Sequence, residues 1–194
     1  MSDPIAPDAV LVRHAETEWS LSGQHTGRTD LPLTGHGREM AAALAGPLSA
    51  WSFPTVLVSP SLRARETCEL CGLAGSAEAR EDLLEWDYGD YEGLTSPQIE
   101  ELRPGWSLWR DGCPNGESAA DVGTRIDRVI DRIAASEGPV AIFSHGHALR
   151  VLGARWIGLE AAQGACLRLS TASISTLSVE HGTRVLARWN DTAA

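Results

Sequence analysis

Arg13 and His14 stand side by side at the end of a short apolar stretch, Ala9 to Val12, within the segment LVRHAETEWS. Two more apolar runs end in polar, proton-active groups. Thr55–Val58 leads into Ser59 and, one helical turn later, Arg63, and Val140–Phe143 leads into Ser144-His145. Arginine offers a planar fork of donors that matches phosphate oxygens and keeps its charge. Two arginines at one site suit a dianionic phosphoryl group. Two roles are open to a histidine among them: general base, or nucleophile that attacks phosphorus and carries it as phosphohistidine. Attack requires one unprotonated ring nitrogen aimed along the line of displacement. A second histidine, kept protonated by the phosphate, adds charge beside the equatorial oxygens.

The departing alkoxide needs a proton. The loop LLEWDYGDYEG, Leu83 to Gly93, offers Glu85, Asp87, Asp90 and Glu92. An acid of this kind is expected to have a raised pKa, from crowding by other carboxylates or burial beside Trp86. Composition does not choose among the four. The arginines do in this scheme what magnesium does in kinases, so no metal and no cofactor is expected. The chain contains no GxxxxGK[ST] loop, no HExxH and no clustered His/Asp ligand spacing.

The elements that must position these groups follow from periodicity. Ala9–Val12, Thr55–Val58 and Val140–Phe143 read as buried strands. Thr34 is a good N-cap for a helix over roughly 35–50, where Met40, Ala41, Leu44 and Leu48 recur at helical spacing. Ser61 opens a helix to about Cys71, and 81–95 reads as a loop. Ser96-Pro97 reads as N-cap and first helical position of a short helix to Leu102. Ser118 begins a helix with Asp121 as a capping-box partner, its Val122, Ile126, Val129, Ile130 and Ile133 on one face. A helix spans Gly146 to Trp156, and Ile174–Val179 and Arg184–Trp189 form strands around His181-Gly182. Strands alternating with helices imply an α/β fold: a mainly parallel central sheet covered on both faces, with ligands bound at the carboxyl edge. Arg13, His14, Ser59, Arg63 and His145 all converge on that edge.

At 194 residues and 43% hydrophobic content the chain fits one domain, residues 1–194, with 81–118 as a loop and short-helix lid region over the site. A net charge of −10 with no basic stripe argues against nucleic acid and an anionic membrane as partners. A cluster of arginines can still hold a small phosphorylated molecule. The segment MSDPIAPDAV has no basic n-region or apolar core, so no export signal is expected, and no apolar run is long enough to span a membrane. The four cysteines then read as reduced cytoplasmic thiols. Cys68 and Cys71 form a CxxC without a second ligand pair, and inside a helical pattern two such residues simply share a face.

With these residues in view, the chain resembles the histidine phosphatase superfamily, the phosphoglycerate-mutase-like enzymes, along nearly its whole length. LVRHAETEWS resembles the RHG motif, GQHTGRTDLPLTGHGRE the segment after it, and VSPSLRARET the stretch with the second arginine. LLEWDYGDYEG resembles the acid loop and FSHGHALR the second-histidine motif. The resemblance implies a three-layer α/β/α sandwich and hydrolysis of a small phosphorylated metabolite through phospho-His14. It implies Arg13, Arg63 and His145 as the phosphate pocket and Glu85 as proton donor and later base. Ser20, Thr26, Gly27, Tyr88 and Gly146 are implied on the substrate side. Ala15 replaces the usual Gly of the motif, and Ser20 stands where many members carry Asn. Cofactor-dependent mutases are longer between the acid loop and the second histidine, so the short Gly105–Ser118 loop favours a phosphatase, with a phosphoglycerate mutase as the alternative. EWDYGDYEGLT, WRDGCPNGES and TASIS resemble the branch with acid phosphatase-like and sedoheptulose bisphosphatase-like members.

Plainer readings stand beside these. Arg63 also fits a surface ion pair with Glu66, and the role of Arg65 stays open. His147 is the runner-up for the role of His145. His36 and His181 read as surface residues, while His25 lies beside Thr26 within reach of substrate. Asp87 reads as a substrate-side group or a loop cap. Trp106 and Trp109 read as a lid or as ordinary packing, packing being the plainer. The terminal strands leave a homodimer open.

Overall fold

The computed structural model describes residues 7–192 of the chain, so residues 1–6 of the segment MSDPIAPDAV lie outside it. Six strands form one sheet: β1 (Ala9–Arg13), β2 (Thr55–Val58), β3 (Ala77–Ala79), β4 (Val140–Ser144), β5 (Ser173–Glu180) and β6 (Thr183–Thr192), in the spatial order β3-β2-β4-β1-β5-β6. The first four are parallel, and β5 and β6 continue the sheet antiparallel. His181 and Gly182 join β5 to β6 with φ of 50° and 80°, the left-handed pair a two-residue hairpin turn requires.

Alternation along the strands builds two cores. Ala9, Leu11, Leu57, Val140, Ile142 and Leu177 face one side, with helices α7 (Ala119–Ala134) and α8 (Gly146–Trp156) packed over them. Val10, Val12, Val56, Val58, Ala141 and Phe143 face the other, under α2 (Gly35–Ala43), α3 (Ala45–Leu48) and α4 (Leu62–Leu70). Both faces of each central strand are therefore buried, as a parallel sheet between helix layers demands. In α7 the five apolar positions at helical spacing are all buried, and Ser118 and Asp121 form the expected reciprocal cap. Three short helices complete the set: α1 (Glu18–Ser22), α5 (Ser96–Leu102) and α6 (Leu108–Asp111).

Several boundaries differ from the sequence reading. The helix expected over 35–50 is two, broken at Leu44. Pro47 lacks the N–H that a continuous helix would bond to the carbonyl of Ala43. The cap of α5 is Thr95, one residue earlier than expected. Its hydroxyl accepts from Gln98 N, and Gln98 returns a side-chain bond to Thr95 N. The expected loop over 81–95 contains two single 3-10 turns, Glu81–Leu83 and Gly89–Tyr91, and buries Leu83, Trp86, Tyr88 and Tyr91 in the core.

Register delivers the chemistry to one place. Arg13 pairs with Ser144 in the β1–β4 ladder, and Val58 with Phe143 in the β2–β4 ladder. His14 N donates to Ser144 O at 2.9 Å and Ser59 N to Phe143 O at 2.9 Å. The three strands thus end level, and His14, Ser59 and His145 leave the same sheet edge.

Candidate active site

His14 Nδ1 lies 2.7 Å from the Ala15 carbonyl. A carbonyl only accepts, so Nδ1 carries the proton and Nε2 is left with its lone pair. Burial, then the charges of Arg63 and Arg13, hold the imidazole well below its ordinary pKa. His14 is thus neutral, 5% exposed, and lines a cavity of about 240 Å³ at the sheet edge. Ala15 takes part through its backbone. Its N–H donates to Thr67 Oγ1 at 3.1 Å, and that hydroxyl donates to Arg63 O at 2.7 Å.

The two arginines are placed differently. Arg13 lines the cavity, donates Nη1 to Leu169 O at 2.6 Å, and keeps its Nε buried without a hydrogen-bond partner. A Cβ on Gly146 would stand 3.2 Å from Arg13 Cζ, so the glycine lets the guanidinium lie against the start of α8. Arg63 is fully buried behind the cavity wall. Its Nε donates to His145 Nδ1 at 3.1 Å, Nη1 to Thr29 O at 3.0 Å, and Nη2 to Thr26 O and Gly27 O, each at 3.1 Å. The alternative ion pair with Glu66 does not form; Glu66 pairs with Arg38 at 3.3 Å. Arg65 is exposed.

His145 stands edge-on to His14, ring centroids 5.2 Å apart, and like Arg63 is fully buried. Because Nδ1 accepts from Arg63, the ring proton is on Nε2, which donates to Ser59 Oγ at 2.7 Å. Burial, then Arg63, drives its pKa well below the ordinary value. The charged second histidine expected from sequence is therefore neutral in this arrangement, its second nitrogen committed to a guanidinium.

The acid loop distributes its four carboxylates to separate partners. Asp87 pairs with Arg28 at 3.1 Å and caps Gly89 N at 3.0 Å, so of its two readings the loop cap fits. Asp90 accepts from Asn115. Glu92 accepts from the N–H groups of Gly27 and Thr29, bracing the loop whose carbonyls grip Arg63. Only Glu85 lines the cavity. Its Oε1 accepts from Trp86 N and Ala148 N, both at 2.9 Å, and its Oε2 from His147 N at 3.0 Å. His147 and Ala148 are the second and third residues of α8, whose N–H groups have no partner inside the helix. Burial alone pushes the carboxyl up, but the His147 charge and these donors outweigh it and hold Glu85 below its ordinary value. Burial brings His147 itself down to about 3, which leaves the amides as the main anchor at neutral pH. The raised pKa expected for this residue is thus corrected. Neighbouring carboxylates are neutralised elsewhere, and the helix end holds the anion.

The substrate-side residues divide. Ser20, Thr26, Tyr88 and Gly146 line the cavity. Gly27 does not. Its backbone is spent on Glu92 and Arg63, and a Cβ there would come 2.7 Å from Trp86 O. The Ser20 hydroxyl is held in a reciprocal cap with Thr17. His25 and His147 line the cavity, with Tyr88 OH 2.7 Å from His147 Nδ1. His36 and His181 are exposed.

Sequence reasoning placed Ser59 at the sheet edge without its bond to His145, and missed Thr67 and Arg150. Arg150, one helical turn beyond His147, lines the cavity, donates to Gly164 O and Ala165 O, and lies 4.6 Å over the Trp109 ring. Its place on the face of α8 that carries Gly146 and His147 was the available signal. Cys68 and Cys71 are buried free thiols pushed up to about 12 by burial, in keeping with a packing role. Among the described residues no group of three or more His, Cys, Asp or Glu is placed to hold a metal ion.

Fold and site together describe a three-layer α/β/α protein with a neutral imidazole and a guanidinium facing one small cavity. The chain belongs to the histidine phosphatase superfamily, branch 1, whose family model matches residues 9–192. It is 44% identical over 183 residues to an acid phosphatase of Mycobacterium tuberculosis (strain ATCC 25618 / H37Rv), covering 92% of this chain and 89% of that one. It is 40% identical over 187 residues to sedoheptulose 1,7-bisphosphatase of Saccharomyces cerevisiae (strain ATCC 204508 / S288c), covering 80% of this chain and 69% of that one. A solved structure of a Mycobacterium tuberculosis open reading frame superposes with a TM-score of 0.91 at 40% identity, covering 96% of this chain and 98% of the other.

Proposed function

We propose that this protein is a phosphomonoesterase that hydrolyses a small phosphorylated metabolite through a phosphohistidine at His14. The observation that carries the reading is the state of that imidazole: neutral, its Nδ1–H fixed on the Ala15 carbonyl, its Nε2 lone pair unpaired beside Arg13. In the first step Nε2 attacks phosphorus and the N–P bond forms as the P–O bond breaks; Glu85, ionised in the free protein, relays to the departing oxygen the proton that enters with the ester monoanion. In the second, Glu85 takes a proton from water, the new P–O bond forms as the N–P bond breaks, and inorganic phosphate leaves with that proton, restoring neutral His14 and the Glu85 carboxylate. The buried, unpartnered Nε of Arg13 supports a contact to the phosphoryl oxygens. The phosphatase names of the two curated relatives support hydrolysis over transfer between positions of one metabolite.

No helix among the described residues is long and apolar enough to cross a membrane. The four free cysteines, three of them buried, support a cytoplasmic location. Denaturing quench with a labelled ester is expected to trap acid-labile, base-stable phosphate on His14, and His14→Ala to abolish both the trap and turnover. Full turnover by His14→Ala would end this reading. Interconversion of 2- and 3-phosphoglycerate with added bisphosphoglycerate, without phosphate release, would favour a mutase instead.

A further inference from the structure

A second cavity, of about 460 Å³, adjoins the first and shares His25, Ser96 and His147 with it. Its walls are Trp106, Trp109 and Leu108. The aromatic rings are fixed. Trp106 Nε1 donates to Gly112 O at 2.9 Å and the ring packs edge-on against Tyr91, centroids 5.3 Å apart. Trp109 packs edge-on against Trp86 at 5.5 Å and His147 at 5.4 Å. His25 Nδ1 is bonded to Leu94 O at 2.8 Å, and its ring lies parallel to His147 within 7°. Because the two cavities share these residues, the alcohol portion of an ester whose phosphoryl group sits at His14 can extend from the first into the second.

The charges of the two cavities differ. Arg13 and Arg150 line the first. The described lining of the second holds no arginine or lysine, and its one charged residue is the carboxylate of Glu100. Glu100 is fixed as well, since its Oε1 accepts from Gly105 N at 2.8 Å. A second phosphate or a carboxylate on the alcohol would lose solvation against the aromatic walls and face the like charge of exposed Glu100, while Arg150, over the Trp109 ring, spends donors on Gly164 O and Ala165 O. A flat, uncharged ring meets the opposite situation: aromatic faces to stack on, and a volume within the range of small-molecule sites.

We propose that the cleft formed by Trp106, Trp109, His25 and His147 receives the alcohol half of the substrate, and that it selects monophosphates of uncharged, ring-bearing alcohols over bisphosphates and phosphorylated acids. The inference rests on the phosphatase reading above and adds the substrate class.

The test compares alkyl esters, so that leaving-group chemistry stays similar: benzyl phosphate, glycerol 3-phosphate, 3-phosphoglycerate and fructose 1,6-bisphosphate. Benzyl phosphate is expected to show the highest kcat/KM, chiefly through KM. Trp106→Ala is expected to lower that value about three- to tenfold more for benzyl phosphate than for glycerol 3-phosphate. Trp106→Leu covers the case in which the alanine variant does not fold. Glu100→Lys is expected to raise kcat/KM for the bisphosphate relative to benzyl phosphate by about threefold. Preference of the unaltered protein for the bisphosphate or for 3-phosphoglycerate would overturn the proposal, as would an equal loss for all esters in both Trp106 variants. If no ester is hydrolysed, the phosphatase reading fails first. Titration of tryptophan emission with benzylphosphonate then decides the cleft alone. Quenching that inorganic phosphate does not produce, and that weakens in the Trp106 variants, supports it, and its absence refutes it.

Discussion

On the proposed reading, with Glu85 as proton donor, the pH dependence of turnover hinges on that residue. Three N–H groups donate to its two oxygens, an arrangement that suits a carboxylate and offers a bound proton no acceptor. These donors, with the His147 charge where that ring is protonated, outweigh burial and hold the group below its ordinary value. Near neutrality it is therefore ionised, yet the departing alkoxide of an alkyl ester needs a proton from it. That proton must enter with the substrate. A phosphate monoester loses its last proton with a pKa of about 6, so the productive complex contains one proton shared between ester and carboxylate. The population of that complex follows the product of the carboxylate fraction and the ester-monoanion fraction, whichever partner carries the proton at the moment of transfer.

The magnitudes follow from those two ionisations. With glycerol 3-phosphate, kcat/KM is expected to be level from the Glu85 pKa up to about pH 6 and to fall tenfold per unit above it, as the monoanion disappears. By about pH 8 the loss reaches about 100-fold. The sequence suggested only a raised pKa; taken for comparison at about 7, a raised Glu85 would move the maximum to between about 6 and 7 and limit the loss at about pH 8 to roughly tenfold. His14 does not intrude on the acid side, because burial and the two arginines keep its pKa well below 6.5. Initial rates across this range, at substrate well below KM, make the measurement. An activated aryl phosphate is the control: its leaving group departs without a proton, so the alkaline fall is expected to shrink. Glu85→Gln is expected to reduce alkyl-ester turnover about 10²- to 10⁴-fold and to spare the aryl ester comparatively. A kcat/KM for glycerol 3-phosphate that stays flat or rises between about pH 6 and 8 would refute the reasoning.

Stability is expected to fall with acidification, because His14, His145 and His147 are all held in their neutral form below the ordinary 6.5. The unfolded chain binds protons at these sites first, so each contributes stability that is present above about 6.5 and is lost as pH falls below it, by up to about 1.4 kcal/mol per pH unit. Urea unfolding at neutral and mildly acid pH measures this, and an unchanged midpoint would count against buried neutral imidazoles. Thr67→Val removes a hydroxyl that accepts from Ala15 N and donates to Arg63 O. It is expected to cost about 1–3 kcal/mol by denaturant titration and to lower kcat by loosening the carbonyl that orients His14. Gly146→Ala places a methyl group 3.2 Å from Arg13 Cζ, and the displaced guanidinium is expected to raise KM by roughly tenfold. Unchanged KM in a folded variant would show that Arg13 does not need that approach.

The frame of the fold was open to reading in the sequence because burial writes it there directly. Val122, Ile126, Val129, Ile130 and Ile133 carry the 3.6 period of α7, and the apolar runs before Arg13, Ser59 and Ser144 mark strands covered on both faces. Short elements escaped. β3 is Ala-Glu-Ala, without β-branched or aromatic residues, and it is a strand only because it adds to the edge of β2. The neighbourhood of His14 was legible through strand ends, whereas the partners that set protonation were not. Gly27, Thr29 and Thr26 reach Arg63 through carbonyls, 34 to 37 residues away in the chain. Glu85 meets amides 62 and 63 residues away. Backbone groups have no residue-type signature, so a carboxylate bound by amides looks in sequence like one crowded by its neighbours. Gly27 was misplaced for the same reason: the glycine signals a close approach, but not which atoms approach.

The two arginines act by different routes on the proposed reading, and the hydrogen bonds decide which is which. Arg63 spends four bonds on Thr26, Gly27, Thr29 and His145 and has no exposed surface. Its charge still reaches His14 and His145, where after burial it is the largest influence keeping both rings neutral. A nucleophile needs that, since a protonated imidazole has no lone pair to offer phosphorus. Arg13 has the complementary arrangement: one bond to Leu169 O, an unpartnered Nε, and a place in the cavity wall. One guanidinium thus maintains the attacking form of His14 from behind, while the other meets the anion from the front. Lysine would not replace Arg63, because a single ammonium cannot hold a planar set of carbonyls and an imidazole nitrogen at once.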